Sequence, residues 1–170
     1  MHKMNLQHFA TGDKVERKYL AHFIDSSFGG ETETYIRLGK DLEEYNIEMN
    51  PDIETKSNII GESSNIVKGY EPTGSVDTFY AYEGDSMFTQ LAKIVNERLT
   101  GTALQTTVVD VLVDSTGAVT WAYREDVVVL PQSIGGDGAG VQIPFEINYN
   151  GNRKKGTFDM STKTFTPDAA

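Results

Sequence analysis

The chain reads as mainly β: two packed antiparallel sheets or a partly closed β-barrel, with one flanking α-helix at about residues 85–100, an extended N-terminal arm and a long loop. Three observations point there. Stretches such as "EYNIEMN" (44–50) and "VQIPFEINY" (141–149) alternate apolar and polar residues, which commits one face of a strand to a core. Turn chemistry recurs between such stretches, with "NPD" at 50–52, "STG" at 115–117 and "NG" at 150–151. Only one stretch, "YAYEGDSMFTQLAKIVNERLTG" (80–101), carries a helical stripe. A length of 170 residues suits one domain, and 38% hydrophobic residues, with eight Phe and eight Tyr, suffice for a core.

Taken in order, residues 1–30 lack a clean period, hold all three histidines (2, 8 and 22) and end in "SSFGG". They are expected to form an arm, with short ordered pieces around "YLAHFI", and residues 31–170 a single β domain. Within "EYNIEMN" the alternation assigns Tyr45, Ile47 and Met49 to the core and Glu44, Asn46 and Glu48 to the opposite face. "NPD" then turns the chain, and "IETKSNII" (53–60) is a plausible return strand. Residues 61–75, "GESSNIVKGYEPTGS", are too polar for a core and long for a simple connection. The excursion over 50–75 is therefore expected to leave the domain as a long loop. "VDTFYAY" (76–82) is a strand running into "EGD".

In the helix, Asp85 or Ser86 can accept from free backbone N–H groups at the N-terminus. Met87, Phe88, Leu91, Ile94, Val95 and Leu99 form one stripe, which places Phe88, Leu91 and Val95 against the sheet. Gly101 stands where a left-handed residue could close the helix. "TTVVDVLVD", "STG" and "AVTWAYREDVVVL" form a hairpin, and "PQSIGGDGAG" a flexible loop. In "VQIPFEINY", Val141, Ile143, Phe145, Ile147 and Tyr149 share one face, and Pro144 on the other marks an edge or an irregular pairing. "NG" at 150–151 is a hairpin signal, "NRKKGTFD" the returning strand, and "KTFTP" a last short strand. There is no internal repeat.

Composition narrows the chemistry. Without cysteine there is no disulfide, thiolate metal site or cysteine nucleophile. A net charge of −10 disfavours tight nonspecific nucleic-acid binding, which needs clustered Lys and Arg, and an anionic membrane surface as well. No apolar run has the length of a membrane span, and the first residues lack the apolar core of a secretory signal. "GGETETYIRLGKD" has the wrong spacing for a phosphate loop, and "GGDGAG" (135–140) resembles a calcium loop only in composition. The histidines lack ligand spacing, and no serine lies in a nucleophile elbow. "NRKKG" is a solvated tip or a contact for an acidic neighbouring subunit. Neither an enzyme nor a cofactor is expected.

The order of strands, then "YAYEGDSMFTQLAKIVNERLTG", then "VVDVLVD", "AYREDVVVLPQSIGGDGAGVQIPFEINYNGNRKKGTFD" and a terminal Phe resembles the major tail tube proteins of long-tailed bacteriophages, over residues 34–166. The opening "MNLQHFA" looks like the start of many structural proteins from phages of Gram-positive bacteria. The resemblance implies homo-hexameric rings stacked into a hollow tube, first filled by a tape-measure protein and later crossed by double-stranded DNA without specific binding. It implies contacts with a tail terminator and with baseplate or tail-tip proteins, no membrane, and a place in the virion tail after assembly in the host bacterial cytoplasm. Under it, Glu44, Asn46 and Glu48 would line the lumen, where like charge keeps DNA from adhering. The 50–75 excursion, with Asp52, Glu54, Lys56, Lys68 and Tyr70, would reach the adjacent ring. It and the arm would become ordered only in the assembly. A tail terminator or head–tail joining protein is the alternative. A carbohydrate-binding sandwich would want exposed aromatics, and Trp121 is the only tryptophan.

Overall fold

The β-branched run "DVVVL" lies inside the longest strand of the protein and becomes the axis of its main sheet. The computed structural model describes residues 12–169. Its strands are β1 (Leu20–Asp25), β2 (Tyr35–Leu38), β3 (Ile47–Glu48), β4 (Pro51–Ser57), β5 (Ser63–Tyr70), β6 (Thr73–Val76), β7 (Gln105–Val113), β8 (Val119–Pro131), β9 (Gly135–Asp137), β10 (Gly140–Gln142), β11 (Phe145–Tyr149), β12 (Lys154–Asp159) and β13 (Thr164–Pro167). Helix α1 (Ser86–Glu97) separates β6 from β7. Nine strands form one antiparallel sheet curled into a half-barrel, while β9–β10 and β4–β5 are separate two-stranded ribbons.

Across the sheet the order is β2-β1-β7-β8, and β8 then carries two partners on its remaining edge. β11 pairs with Val127–Pro131, and β12 with Ala122–Arg124. Both run antiparallel to β8, so they follow one another along it. Asn150–Asn152 is therefore a bulge between two collinear strands, not the expected hairpin turn. Asn150 N–H donates to the Asp126 carbonyl at 2.8 Å, and Asp126 N–H to the Gly151 carbonyl at 3.1 Å, which ties the bulge to β8. β11 continues to β6 and β3, and β12 to β13.

The sheet buries both faces. One cluster joins Ile24, Val108, Val127, Val129, Phe145 and Ile147 to Met87 and Leu91 of α1. The other joins Ala21, Phe23, Val109, Val111 and Ala122 to Phe158, whose ring lies 4.6 Å from that of Phe23. Alternate residues of β1 and β7 thus point to opposite faces, and both faces are covered.

Several expectations are corrected by this arrangement. The arm does not extend to Gly30, and the domain does not begin at 31. Residues 20–25 are an inner strand with Ala21–Asp25 all buried, and the Asp25 carboxylate accepts from the N–H groups of Ser27 (2.9 Å) and Thr34 (2.8 Å) to close the following loop. Residues 1–11 lie outside the described residues. Met49 is half-exposed at 50%, while Tyr45 is buried and Ile47 partly so, because the strand over 44–50 shrinks to Ile47–Glu48. Residues 73–76 are not loop but strand β6, paired with β11 and β3. "VDTFYAY" ends its strand at Val76, apart from one bridge at Tyr80. Val141 is exposed on β10, since Pro144 separates that ribbon from β11. "GGDGAG" lies in the β9–β10 ribbon.

Asp85 caps α1 by accepting from Met87 N–H at 2.8 Å. Arg98, not Gly101, closes it in the left-handed conformation. Leu99 N–H bonds Ile94 O at 3.0 Å and Arg98 N–H bonds Val95 O at 3.4 Å, a Schellman closure. Met87, Leu91 and Ile94 are the fully buried side of the helix, and Phe88 and Val95 are half-buried on its flanks.

Candidate assembly surfaces

The β4–β5 ribbon has its own short logic. Thr55, Ile53, Ile66 and Val67 favour extended backbone, and Asn58 organises the tip by accepting from the N–H groups of Ile60 (3.1 Å) and Glu62 (2.9 Å). Pairing is antiparallel from Pro51↔Tyr70 to Ser57↔Ser63, with a register shift after Asp52. Yet no residue of either strand is buried. Six of the eleven large apolar residues exposed among the described residues lie on it: Ile53, Ile59, Ile60, Ile66, Val67 and Tyr70. A two-stranded ribbon with no face on a core is marginal in water by itself, and an apolar cluster of this kind marks a contact surface.

The residues expected to reach a neighbour all fall on this ribbon. Glu54 Oε2 stands 3.1 Å from Lys68 Nζ and 3.8 Å from Lys56 Nζ, so these charges are mutually engaged. Asp52 sits at the register shift opposite Gly69, and Tyr70 is exposed beside Pro51. Glu44, Asn46 and Glu48 lie on and just before the edge strand β3, all exposed. Asn46 Nδ2 donates to Glu44 Oε1 at 2.6 Å. Phe88, Leu91 and Val95 are on α1 and pack in the core cluster.

A polar cluster that sequence spacing does not reveal lies inside the half-barrel. His22 Nδ1 is 2.6 Å from Asp110 Oδ1, across 88 residues of chain, and the Tyr149 hydroxyl donates to Asp110 Oδ2 at 3.4 Å. The His22 and Tyr45 rings meet edge-on at 4.7 Å. Burial pushes the Tyr45 hydroxyl up to about 12. Burial and then the Asp110 charge push Tyr149 well above the usual tyrosine range. This buried cluster, with no metal-type gathering of His, Asp or Glu among the described residues, serves to lock β1, β7 and β11 together. Elsewhere, Arg153 of "NRKKG" donates to buried Glu125 at 2.8 Å and lies 4.4 Å over the Tyr123 ring, so part of that basic cluster is used internally. Asp159 is held down at about 2 by the Ser161 hydroxyl and by backbone N–H groups in the β12–β13 turn. No helix among the described residues is long and apolar enough to cross a membrane.

No protein-family model matches the sequence, and no curated protein matches it significantly. Solved structures do share the fold. A chain of the PVC extracellular contractile injection system, in its sheath/tube terminator in the extended state, is 8% identical with a TM-score of 0.55, over 87% of this chain and 100% of that one. The tube terminating cap of the anti-feeding prophage is 9% identical with a TM-score of 0.55, over 92% of this chain and 99% of that one. A chain of the PVC sheath–tube complex in the extended state is 8% identical with a TM-score of 0.51, over 84% and 90%. The half-barrel with its single helix is thus the fold found in terminator and tube structures of contractile injection systems.

Proposed function

We propose that the protein is a non-enzymatic structural subunit of a phage-type tail, forming a ring that ends the tail tube. The observation that carries this is the β4–β5 ribbon, an extension of the half-barrel that has no buried residue and carries six large exposed apolar side chains. A subunit needs such an element, because its apolar surface reaches water in the monomer and is covered only by a neighbour. The near full-length likeness to a tube terminating cap and to a chain of a terminator structure favours an end-ring position. In this reading six copies close a homo-hexameric ring, sheet edges β2 and β3 pair or pack against neighbouring copies, and the ribbon contacts the last ring of the tube. Double-stranded DNA would cross the ring unbound, repelled by an acidic lumen that includes Glu44 and Glu48. Tube, tape-measure and baseplate proteins would be its partners in the virion tail, assembled in the host bacterial cytoplasm.

A second reading, the repeated tube subunit, is favoured by the likeness to a chain of a sheath–tube complex. Electron microscopy of the purified protein separates them. Single rings are expected for an end ring and long tubes for a tube subunit, and a strict monomer at high concentration overturns both. Replacing Asp52–Gly69 by a short Gly-Ser link should leave a folded monomer, because no residue of that ribbon is buried, and should abolish contact with the next ring.

A further inference from the structure

The acidic chain gathers cations in one place. A cleft of about 440 Å³ beside β1 and β2 is lined by Arg17, Lys18, Arg37 and Lys40, over a floor that includes Leu38, Tyr45 and His22. Those are four of the 15 Lys and Arg in a chain of net charge −10. Glu43 is the one acidic residue of the lining. Lys18 is paired with Glu16 at 2.7 Å. The other three are held without being neutralised among the described residues. Arg17 donates to the carbonyls of Leu20 (2.6 Å) and Tyr45 (3.0 Å), and Arg37 to that of Lys18 (3.2 Å). Lys40 Nζ sits 3.2 Å from the centre of the Tyr82 ring. Two guanidinium groups fixed by backbone carbonyls keep donors free for a carboxylate at little further cost in side-chain entropy.

His22 supplies the second observation. It is 5% exposed, and its Nε2, in a residue that lines the cleft, is a buried polar atom with no hydrogen-bond partner among the described residues. Its Nδ1 faces Asp110, a carboxylate that can only accept, so Nδ1 carries the proton. Nε2 is then left as an acceptor, and a backbone N–H of an incoming extended segment is a donor that it lacks. Beside the cleft, β2 is the outer strand of the main sheet and has no partner beyond it among the described residues, so an incoming strand can add to that edge.

We propose that this cleft receives a carboxylate-bearing extended segment of a second copy of the chain. Charge selects the occupant. The surface of another copy is strongly acidic, and complementary charge steers and registers such a contact. Residues 1–11 contain no Asp or Glu, so the chain's own first residues hold no carboxylate side chain for the cleft. The resulting contact is head-to-tail, since the cleft and the acidic segment are different patches, and head-to-tail contacts build rings. The inference rests on the self-assembling reading above.

The test combines a charge-reversed variant with cross-linking. Lys18→Glu/Arg37→Glu/Lys40→Glu alters exposed side chains and should keep the wild-type circular dichroism. The concentration needed for half-assembly, read by sedimentation velocity, should rise at least about tenfold, and wild-type assembly should weaken with added salt. In assembled wild type mixed from isotopically light and heavy chains, a zero-length carbodiimide should join Lys18 or Lys40 to an Asp or Glu of another copy. Assembly of the variant at wild-type concentration, or cross-links from these lysines confined to single chains, would overturn the proposal while leaving the structural-subunit reading intact. A wild-type protein that never self-associates would overturn that reading first. Should the triple variant misfold, the wild-type cross-links and the single Lys40→Glu variant decide.

Discussion

Gly74 lies in β6 between Ile147 of β11 and Ile47 of β3, and the ring of Tyr45 lies over it. Its backbone is not in the left-handed region, so an alanine there meets a problem of space, not of dihedral strain. A Cβ at this position would run into the Tyr45 hydroxyl and stand 2.8 Å from Cζ and 3.0 Å from Cε2. Tyr45 has little room to yield, because it is buried and packed edge-on against His22. Overpacking of this kind costs about 1–3 kcal/mol, while Gly→Ala restricts the unfolded chain and returns about 0.4–1 kcal/mol. Gly74→Ala should therefore destabilise by about 1–2 kcal/mol, which lowers the melting temperature by about 2–8 °C for a chain of this size. Thermal unfolding of the monomer followed by circular dichroism measures it. In a Tyr45→Phe background the first collision is gone but Cζ remains, so the same substitution should cost less, with a coupling of about 0.5–1 kcal/mol. A Gly74→Ala protein that melts at or above the wild-type temperature, or costs as much in the Tyr45→Phe background, would refute the packing account.

Three further outcomes are expected. Leu91→Ala should cost about 2–5 kcal/mol in urea unfolding because Leu91 is fully buried, with Val95→Ala costing clearly less, and Leu91→Asp should not fold. Asp85→Ala should cost about 1 kcal/mol by leaving Met87 N–H without its cap, and Asp85→Asn should recover most of it. The folded protein holds the Tyr45 proton up to about pH 12, whereas the unfolded chain releases it near pH 10. Stability from this group is therefore complete below pH 10 and falls by about 1.4 kcal/mol per pH unit between pH 10 and 12, a decline that Tyr45→Phe should reduce.

What the sequence disclosed depended on how many faces each element buries. α1 was legible from its one helical period, down to the Asp85 cap, and the β7–β8 hairpin from its β-branched runs on either side of the Ser115–Gly117 turn signal. β1 was not, because a strand covered on both faces loses its alternation, and His22 and Asp25 within it read as loop polarity. In the β4–β5 ribbon β4 was partly read within "IETKSNII", but β5 failed the opposite way, since a strand with no buried face has no pattern to show. At Asn150–Gly151 a strong local turn signal was overruled by the length of β8, which offers one edge long enough for two strands in succession. The cleft joins Arg17 to Arg37 and Lys40 through the β1–β2 hairpin, and its His22 is braced by Asp110, 88 residues away. No spacing rule spans that distance.

The pairing of β1 with β7 also sets a schedule for synthesis. Leu20 must meet Leu112, and Ile24 must meet Val108. At translation speeds of ~5–20 residues per second, the β1–β2 hairpin waits roughly 4–15 s for its partner strand to be made. Until then one side of β1 is an open edge, and both apolar faces that β7 and β8 will help to cover are exposed. Non-local pairing of this kind also makes closure of the sheet slow once the chain is complete. Nascent copies crowded on one message are therefore most prone to wrong strand exchange in that interval, and a slower codon placed before residue 105 should lower soluble yield without changing the finished protein.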